Sequence, residues 1–393
     1  MYPRFSFTYQ EYEKGRIGVL MTPHGIINTP AFIFCGTKAS IKSLTPEQVK
    51  EANTQVILAN TYHLMLQPGS EVVAKLGGLH QFMQWDGPML TDSGGFQIFS
   101  LGYGAVADEI KGRNRTAARP AGRSFRKITE EGALFRSYID GSRHLLTPER
   151  SIEIQSELGA DLVVVLDECT PFHVDKRYTE RSMHLSHRWG LRSLKRFEQL
   201  NDGRQALYGI VQGGVYPDLR EISCEFVSQQ PFFGNAIGGS LGASKSQMYE
   251  VVQMAMQKLD RSRPTHLLGI GGIADIFAGV AEGIDTFDCV HPTRIARHGG
   301  ALVSRELRDT PAREHLNLNN ARYKLDNEPI DQNCGCYTCQ NFSRGYLHHL
   351  LKAKEILATS LLTIHNVFFM NELMQRIREA IAQNALDKLA KRY

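Results

Sequence analysis

Three cysteines crowd one short stretch, Cys334-x-Cys336-x-x-Cys339, and His365 follows within the apolar run from Leu357 to Phe369. Three thiolates and one imidazole complete a tetrahedral ligand set, which is the donor chemistry of a single structural Zn2+ with no open position. The close spacing puts the sulfurs on one knuckle, and a helix through His365 would bring the imidazole back over it. His348 and His349 are rival ligands that need a tighter fold-back. The bland alternative is three reduced thiols beside a core histidine, against which stands the oxidation liability of clustered exposed thiols. Such a site stabilises its subdomain and performs no reaction.

A second set of polar groups recurs where apolar runs end: Asn60, Asp92, Asp167, Gln212, Gly238-Gly239, Gly269 and Asp288. The elements that would carry them alternate helix and strand. Thr45-Pro46-Glu47-Gln48 reads as an N-cap, a proline at the first helical position and a capping box, and the run Val56 to Ala59 follows as a buried strand. Thr147-Pro148-Glu149 opens another helix, before Leu162 to Leu166, a run too uniformly apolar for a sheet open to water on one face. Strands over Leu207–Val211, Ala236-Ile237, His266–Leu268 and Thr286–Val290 alternate with helices over Asp218–Val227, Met248–Leu259 and Ile276–Ala281. Repeated βα units predict an α/β fold, either a TIM-type (β/α)8 barrel or a doubly wound sheet. No G-x-G-x-x-G joins a strand to a helix with an acid downstream, which disfavours the dinucleotide fold. Barrel enzymes gather their chemistry at the C-terminal strand ends, the pattern seen here. Taken singly, an aspartate in such a place could also cap a turn: Asp288 before its next turn, Asp92 as an Asx-turn before Gly94-Gly95.

The chain has 393 residues, 42% of them apolar, and a formal charge of +4. A mild basic excess is compatible with an RNA partner without requiring one. No run of 18 apolar residues marks a membrane span, and the start MYPRFSFTYQEYEKG lacks the apolar segment of a signal peptide, so a cytoplasmic enzyme is expected. Cys35, Cys169, Cys224 and Cys289 are scattered, which suits a reducing compartment. Residues 102–131 carry Lys111, Arg113, Arg115, Arg119, Arg123, Arg126 and Lys127 with few large apolar groups. They are expected to form a basic flexible insertion, either a solvated loop or a lid contacting phosphates.

Several long motifs agree in order with one family. Thr91-Asp92-Ser93-Gly94-Gly95-Phe96-Gln97, Asp167-Glu168-Cys169-Thr170-Pro171, Val211-Gln212-Gly213-Gly214 and Phe287-Asp288-Cys289-Val290-His291-Pro292-Thr293-Arg294, with the Cys3His set, resemble tRNA-guanine transglycosylases. The resemblance implies an eight-stranded βα barrel with an inserted or C-terminal zinc-binding subdomain, commonly a homodimer. Expected boundaries are 1–300 for the barrel with N-terminal β elements, 301–370 for the zinc subdomain and 371–393 for a helix packing back on the barrel. The tail ends soon after the zinc helix, which favours a queuosine-pathway member over the longer archaeosine enzymes.

The implied reaction replaces guanine at the wobble position of tRNAs with a GUN anticodon (those for Asp, Asn, His and Tyr) by a free 7-deazaguanine base. One N-glycosidic bond breaks and another forms at the same ribose carbon. Retention is obtained most simply by double displacement, with one carboxylate as nucleophile and a second handling protons. By resemblance Asp288 is the nucleophile and Asp92 the proton acceptor. The base site implied is Asp92, Ser93, Gly94, Gly95, Phe96, Asp167, Gln212, Gly239 and Leu268: Asp167 and Gln212 read the guanine edge, while Phe96 and Leu268 sandwich the ring or are simply core. RNA contacts are expected from Gly269, Ile270, Gly271, Gly272, Ile273, Ala274 and Asp275, and from Thr293, Arg294, Ile295, Ala296 and Arg297, where the arginines could instead be ordinary surface charges. Phe342, Tyr346 and His349 are candidates for a dimer seam. Phe96 and Leu268 stand where relatives usually have tyrosine and methionine. Gly242 stands where bacterial relatives have valine, although Cys169 is bacterial in character. Loss of the isopropyl group would open room at position 7 of the base, so queuine is expected to be accepted beside or ahead of 7-aminomethyl-7-deazaguanine. The non-enzymatic alternative is an accessory RNA-binding subunit, which would lack the paired acids.

Overall fold

The computed structural model describes residues 1–103, 126–172 and 174–393. Its sixteen named strands run, in chain order, β1 Ser6–Glu11, β2 Arg16–Thr22, β3 Gly25–Thr29, β4 Ala31–Cys35, β5 Ile57–Ala59, β6 Met89–Thr91, β7 Arg126–Ile128 and β8 Ala133–Arg136. They continue with β9 Arg143–Leu146, β10 Leu162–Val164, β11 Ala206–Val211, β12 Gly234–Ile237, β13 Thr265–Leu267, β14 Thr286–Cys289, β15 Gly300–Leu302 and β16 His315–Asn317. Eight of these close a barrel in the order β4-β5-β6-β10-β11-β12-β13-β14 and back to β4, every pair parallel. Every residue of these eight strands is buried, as a parallel sheet with filled interior and helix-covered exterior requires. This is the TIM-type barrel expected.

Local chemistry sets the helix starts. Thr45 accepts from the Gln48 N–H while the Gln48 side chain accepts from the Thr45 N–H at 3.0 Å, a reciprocal capping box with Pro46 at the first turn. Thr147 caps the helix Pro148–Leu158 from one side only, accepting from the Arg150 N–H at 3.1 Å, again with a proline in the first turn.

The other end of the barrel is sealed from below. The antiparallel sheet β1-β2-β3 delivers Arg16, fully buried, to Asp285, also fully buried, at the foot of β14. Arg16 donates through Nε at 3.0 Å, and Asp285 also accepts the Thr265 N–H at 2.7 Å, so one ion pair ties the N-terminal sheet to two barrel strands. Removing either charge would strand the other in a dry site, at a cost of about 3–5 kcal/mol.

Of the basic stretch expected between 102 and 131, residues 104–125 lie outside the described residues. Its end is more ordered than a loop: β7 pairs with β8, and β8 with β9, in an antiparallel sheet beside the barrel, burying Ala133, Phe135 and Leu146. One long helix, Ile356–Ala382, passes from the zinc knuckle along the barrel wall. Among the described residues it alone is long and apolar enough to cross a membrane, but 67% of its most apolar window is buried inside the protein, as a core helix would be.

Candidate active site

Each barrel strand delivers one group to the same opening. Cys35 ends β4, Asn60 follows β5, Asp92 follows β6, Asp167 lies beyond β10, Gln212 follows β11, Gly239 lies beyond β12, Gly269 lies beyond β13, and Asp288 stands on β14. Hydrogen bonds link these positions around the ring. The Asn60 amide donates to Asp92 Oδ2, which also accepts Gln97 Nε2 at 2.7 Å, and the Thr61 N–H donates to Asp92 Oδ1 at 2.8 Å. The Gln212 amide donates to Asp167 Oδ2. The Gly269 N–H donates to Asp288 Oδ1 at 2.7 Å, while the Cys35 thiol lies 3.7 Å from Oδ2.

Burial and neighbouring charge act together on Asp92 and Asp167. Burial pushes the Asp92 carboxyl above its ordinary range, with the Asp288 charge adding to the effect and three donors opposing it. Burial likewise pushes Asp167 up to about 7, with Glu168 and Asp92 contributing and Gln212 opposing. Cys35, buried between them, is raised by desolvation first and then by Asp288, Cys289 and Asp92. Asp92 and Asp288 thus stand at the same end of the barrel, at the C-terminal ends of β6 and β14. Two carboxyl groups at one barrel mouth are the equipment that paired acid and nucleophile roles need.

The remaining expected base-site residues surround this ring. Ser93, Gly94 and Gly95 are buried, with Ser93 Oγ accepting the Gly95 N–H at 3.3 Å. Phe96, 38% exposed, lies on the first turn of the helix Gly95–Tyr103. Leu268 is half-buried beside the Gln212 amide and Gly238. Gly239 has φ +76°, and a Cβ there would fall 2.3 Å from Gln212 Oε1, so only glycine lets this backbone lie against the glutamine. Beneath these loops Arg220 is buried, donating to the carbonyls of Gly214 at 2.7 Å, Val211 at 3.2 Å and Ser240 at 3.2 Å.

The expected RNA-contacting residues divide. Ile270, Gly271, Ile273, Thr293 and Ala296 are buried, and Ile295 is half-buried against the core; the side chains of Ile270, Ile273, Ile295 and Ala296 serve packing, and the Thr293 hydroxyl donates to the Val290 carbonyl at 3.3 Å. Asp275 is engaged by Tyr249 at 2.8 Å and Lys245 at 2.9 Å. Gly269 and Gly272 are half-buried, and Ala274 and Arg294 are exposed. Arg297 is half-buried and donates to the Thr293 carbonyl at 3.0 Å. Two further cations, Lys38 and Lys42, follow β4, the strand paired with β14, and Lys42 is lowered by desolvation first and then by Arg297, Lys38 and Arg294.

The geometry of the cysteine knuckle fits a metal. Sulfurs of Cys334, Cys336 and Cys339 lie 3.8, 3.5 and 3.4 Å from His365 Nδ1, and all four residues are buried. Ligand atoms on a tetrahedral zinc, with bonds of about 2.3 Å to sulfur and 2.0 Å to nitrogen, stand about 3.5 Å apart. His365 Nε2 is fixed by the Leu302 carbonyl at 2.8 Å, which aims Nδ1 at the sulfurs. The rivals are elsewhere: His348 bonds the Leu318 carbonyl at 2.8 Å and His349 is exposed.

Gly242 has a backbone reason to be glycine. Its φ is +114°, and a Cβ would fall 2.5 Å from Oε1 and 2.7 Å from Cγ of Gln247. The missing side chain would press on Gln247, so its absence is explained without reference to a bound base.

Comparison with known proteins bears on the same ring. Residues 11–393 match the family model described as queuine tRNA-ribosyltransferase. A queuine tRNA-ribosyltransferase of Roseiflexus sp. (strain RS-1) is 50% identical over 381 residues, covering 95% of this chain and 94% of its own. Those of Caldanaerobacter subterraneus subsp. tengcongensis and Protochlamydia amoebophila are 48% and 44% identical, each over 95% of this chain and over 92% and 93% of their own lengths.

Proposed function

Because the chain belongs to the queuine tRNA-ribosyltransferase family, and is thus a pentosyltransferase acting as a tRNA-guanine transglycosylase, we propose that it exchanges wobble guanine in GUN-anticodon tRNAs for a 7-deazaguanine base by double displacement. The observation that carries this reading is the placement of Asp92 and Asp288 together at the C-terminal end of the barrel strands. Asp288 attacks the ribose anomeric carbon, and the departing guanine takes a proton from the Asp92 carboxyl. The incoming base returns a proton to Asp92 as its nitrogen displaces the Asp288 carboxylate, so configuration is retained. Asp167 accepts from N1–H and the exocyclic amine, and Gln212, already bonded to Asp167, faces the same edge. An adenine would leave these buried groups unpaired.

Lys38, Lys42, Arg294 and Arg297 supply charge for anticodon-loop phosphates. The free base is queuine or 7-aminomethyl-7-deazaguanine. Gly242, given its backbone geometry, offers no steric argument for the larger one. Zinc is the metal we assign to Cys334, Cys336, Cys339 and His365, in a structural role, with the cytoplasm as the reducing compartment that free thiols need. An aromatic cluster on the knuckle, with Phe342 and Tyr346 stacked at 5.4 Å and Tyr346 39% exposed, is the surface we assign to a homodimer.

Exchange of radiolabelled guanine into tRNA tests the assignment. Activity should vanish in Asp288→Asn, and mass spectrometry of tRNA incubated with each base should identify the one incorporated. Undiminished exchange in Asp288→Asn would remove the nucleophile and the mechanism with it.

A further inference from the structure

Asp288 is held asymmetrically. Oδ1 accepts the Gly269 N–H at 2.7 Å and also faces His266 Nε2 at 3.2 Å, whereas Oδ2 faces only the weak thiol donor of Cys35 among the bonds described above. His266 belongs to β13, directly across from Thr286 of β14. Its Nδ1 lies 2.9 Å from Thr286 Oγ1, so the ring spans from one inward residue of β14 to the next, two positions along. Its side chain is 1% exposed and that of Asp288 is 12% exposed. A ring buried this way has one orientation. In the tautomer whose Nε2 donates to the carboxylate, the threonine hydroxyl donates to Nδ1.

We propose that His266 is a positioning residue for the nucleophile: with the Gly269 N–H it clamps Oδ1 and turns Oδ2 toward the ribose as the attacking oxygen. The inference rests on the assignment of Asp288 given under Proposed function. In the forward half, an Oδ2 lone pair forms the bond to the anomeric carbon as the glycosidic bond breaks. Its electron pair leaves on guanine, which takes the Asp92 proton. In the second half the incoming base loses a proton to Asp92 and its nitrogen bonds the same carbon, so the Oδ2 bond breaks and the carboxylate is restored. The donors on Oδ1 hold the carboxylate in line for the first half and stabilise it as a leaving group in the second. Nothing in the residue type of His266 announces this role; only the register of β13 against β14 does.

His266→Leu keeps a side chain of similar bulk and removes the donor, while His266→Gln keeps an N–H. The full chain with tRNA and guanine is the system. The inference expects kcat for His266→Leu to fall on the order of 10- to 100-fold, with guanine Kd and tRNA KM within about twofold of wild type. It expects His266→Gln to recover most of the loss. A carboxylate that loses a donor is easier to protonate, so the acid limb of kcat in His266→Leu, measured at saturating guanine where Asp167 is already engaged, should move up by about half a pH unit or more. Wild-type kcat in His266→Leu, or an unmoved acid limb with equal losses in both variants, overturns the positioning role. Denaturing gels separate this from the prior reading. A covalent tRNA adduct that persists in Asp288→Asn sinks the nucleophile itself, whereas an adduct lost in Asp288→Asn but formed at wild-type rate in His266→Leu sinks only the inference.

Discussion

The side-chain amide of Gln212 donates to the carboxylate of Asp167, joining the ends of the adjacent strands β11 and β10, with both residues buried. This pairing supplies only part of what a buried carboxylate needs, and burial still raises Asp167 to about 7. A guanine-like base, bound as proposed, would bring the missing donors. The sign follows from the direction of the shift. The ordinary carboxyl value, 3.8, lies well below the folded one, so the folded protein holds a proton between them that the unfolded chain has lost. Stability from this group is full below about 4 and is lost as pH rises through about 7. Base binding runs the other way, because only the ionised form accepts two hydrogen bonds.

Guanine affinity should therefore weaken about tenfold between pH 8 and pH 6. Calorimetric titration of wild type at several pH values measures this. Asp167→Asn should bind roughly 100-fold more weakly and lose the pH dependence. A flat profile in the wild type would show that Asp167 is ionised throughout or does not touch the base.

Arg220 straps the same pocket from beneath, spending its donors on the carbonyls of Val211, Gly214 and Ser240. Burial pushes its guanidinium down to about 10, still charged near neutrality. Arg220→Leu leaves three carbonyls without this partner and should cost about 2–4 kcal/mol in denaturant unfolding. Guanine Kd should rise with it, because the loops bearing Gln212 and Gly239 lose their common anchor. Lysine cannot reproduce three donor directions at once, so Arg220→Lys should recover little. Unchanged stability and affinity in Arg220→Leu would reduce the arginine to packing.

At the knuckle, elemental analysis should find one zinc per chain, and Cys339→Ala should lose it. The imidazole of His365 bonds both the cluster and the Leu302 carbonyl, so metal loss should loosen the long helix from β15 as well. Structural zinc contributes on the order of 10 kcal/mol to a small subdomain. Chelation should therefore lower the melting temperature sharply and abolish exchange only as the fold is lost. Metal-free protein that melts like the holoprotein would argue for reduced thiols and a core histidine.

Much of this was legible in residue types, and the misses share a cause. Strand ends such as Asp92, Asp167, Gln212 and Asp288 were visible because a polar group follows an apolar run. The run Ala31–Cys35 ends in cysteine, which is apolar enough to hide the strand end that it marks. The 25-residue helix Lys176–Leu200 escaped because its outer face is crowded with charge, including Arg188 bonded to Glu130 and Arg192 bonded to Glu149 at 2.7 Å. Lys38 and Lys42 come to the same side of the barrel as Arg294 and Arg297 because β4 closes the barrel against β14. His266 and Arg220 likewise act through register and through loop carbonyls, which spacing along a chain does not encode.

Gly242 shows where a motif comparison needs the backbone. Glycine in place of valine suggested extra room beside the base, from which Gly242→Val would be expected to narrow the choice to the smaller substrate. At φ +114° a β-branched residue is strained whatever the space, and its Cβ would collide with Gln247, whose Oε1 accepts the Ala243 N–H at 3.0 Å. Gly242→Val should thus destabilise the protein by about 1–3 kcal/mol, and Gly242→Ala should do so as well, since both need the same disallowed backbone. Thermal unfolding of the two variants, beside competition between queuine and the aminomethyl base, separates the explanations. A stable Gly242→Val enzyme that rejects only queuine would restore the pocket argument, whereas loss of stability with the base ratio unchanged assigns Gly242 to the turn.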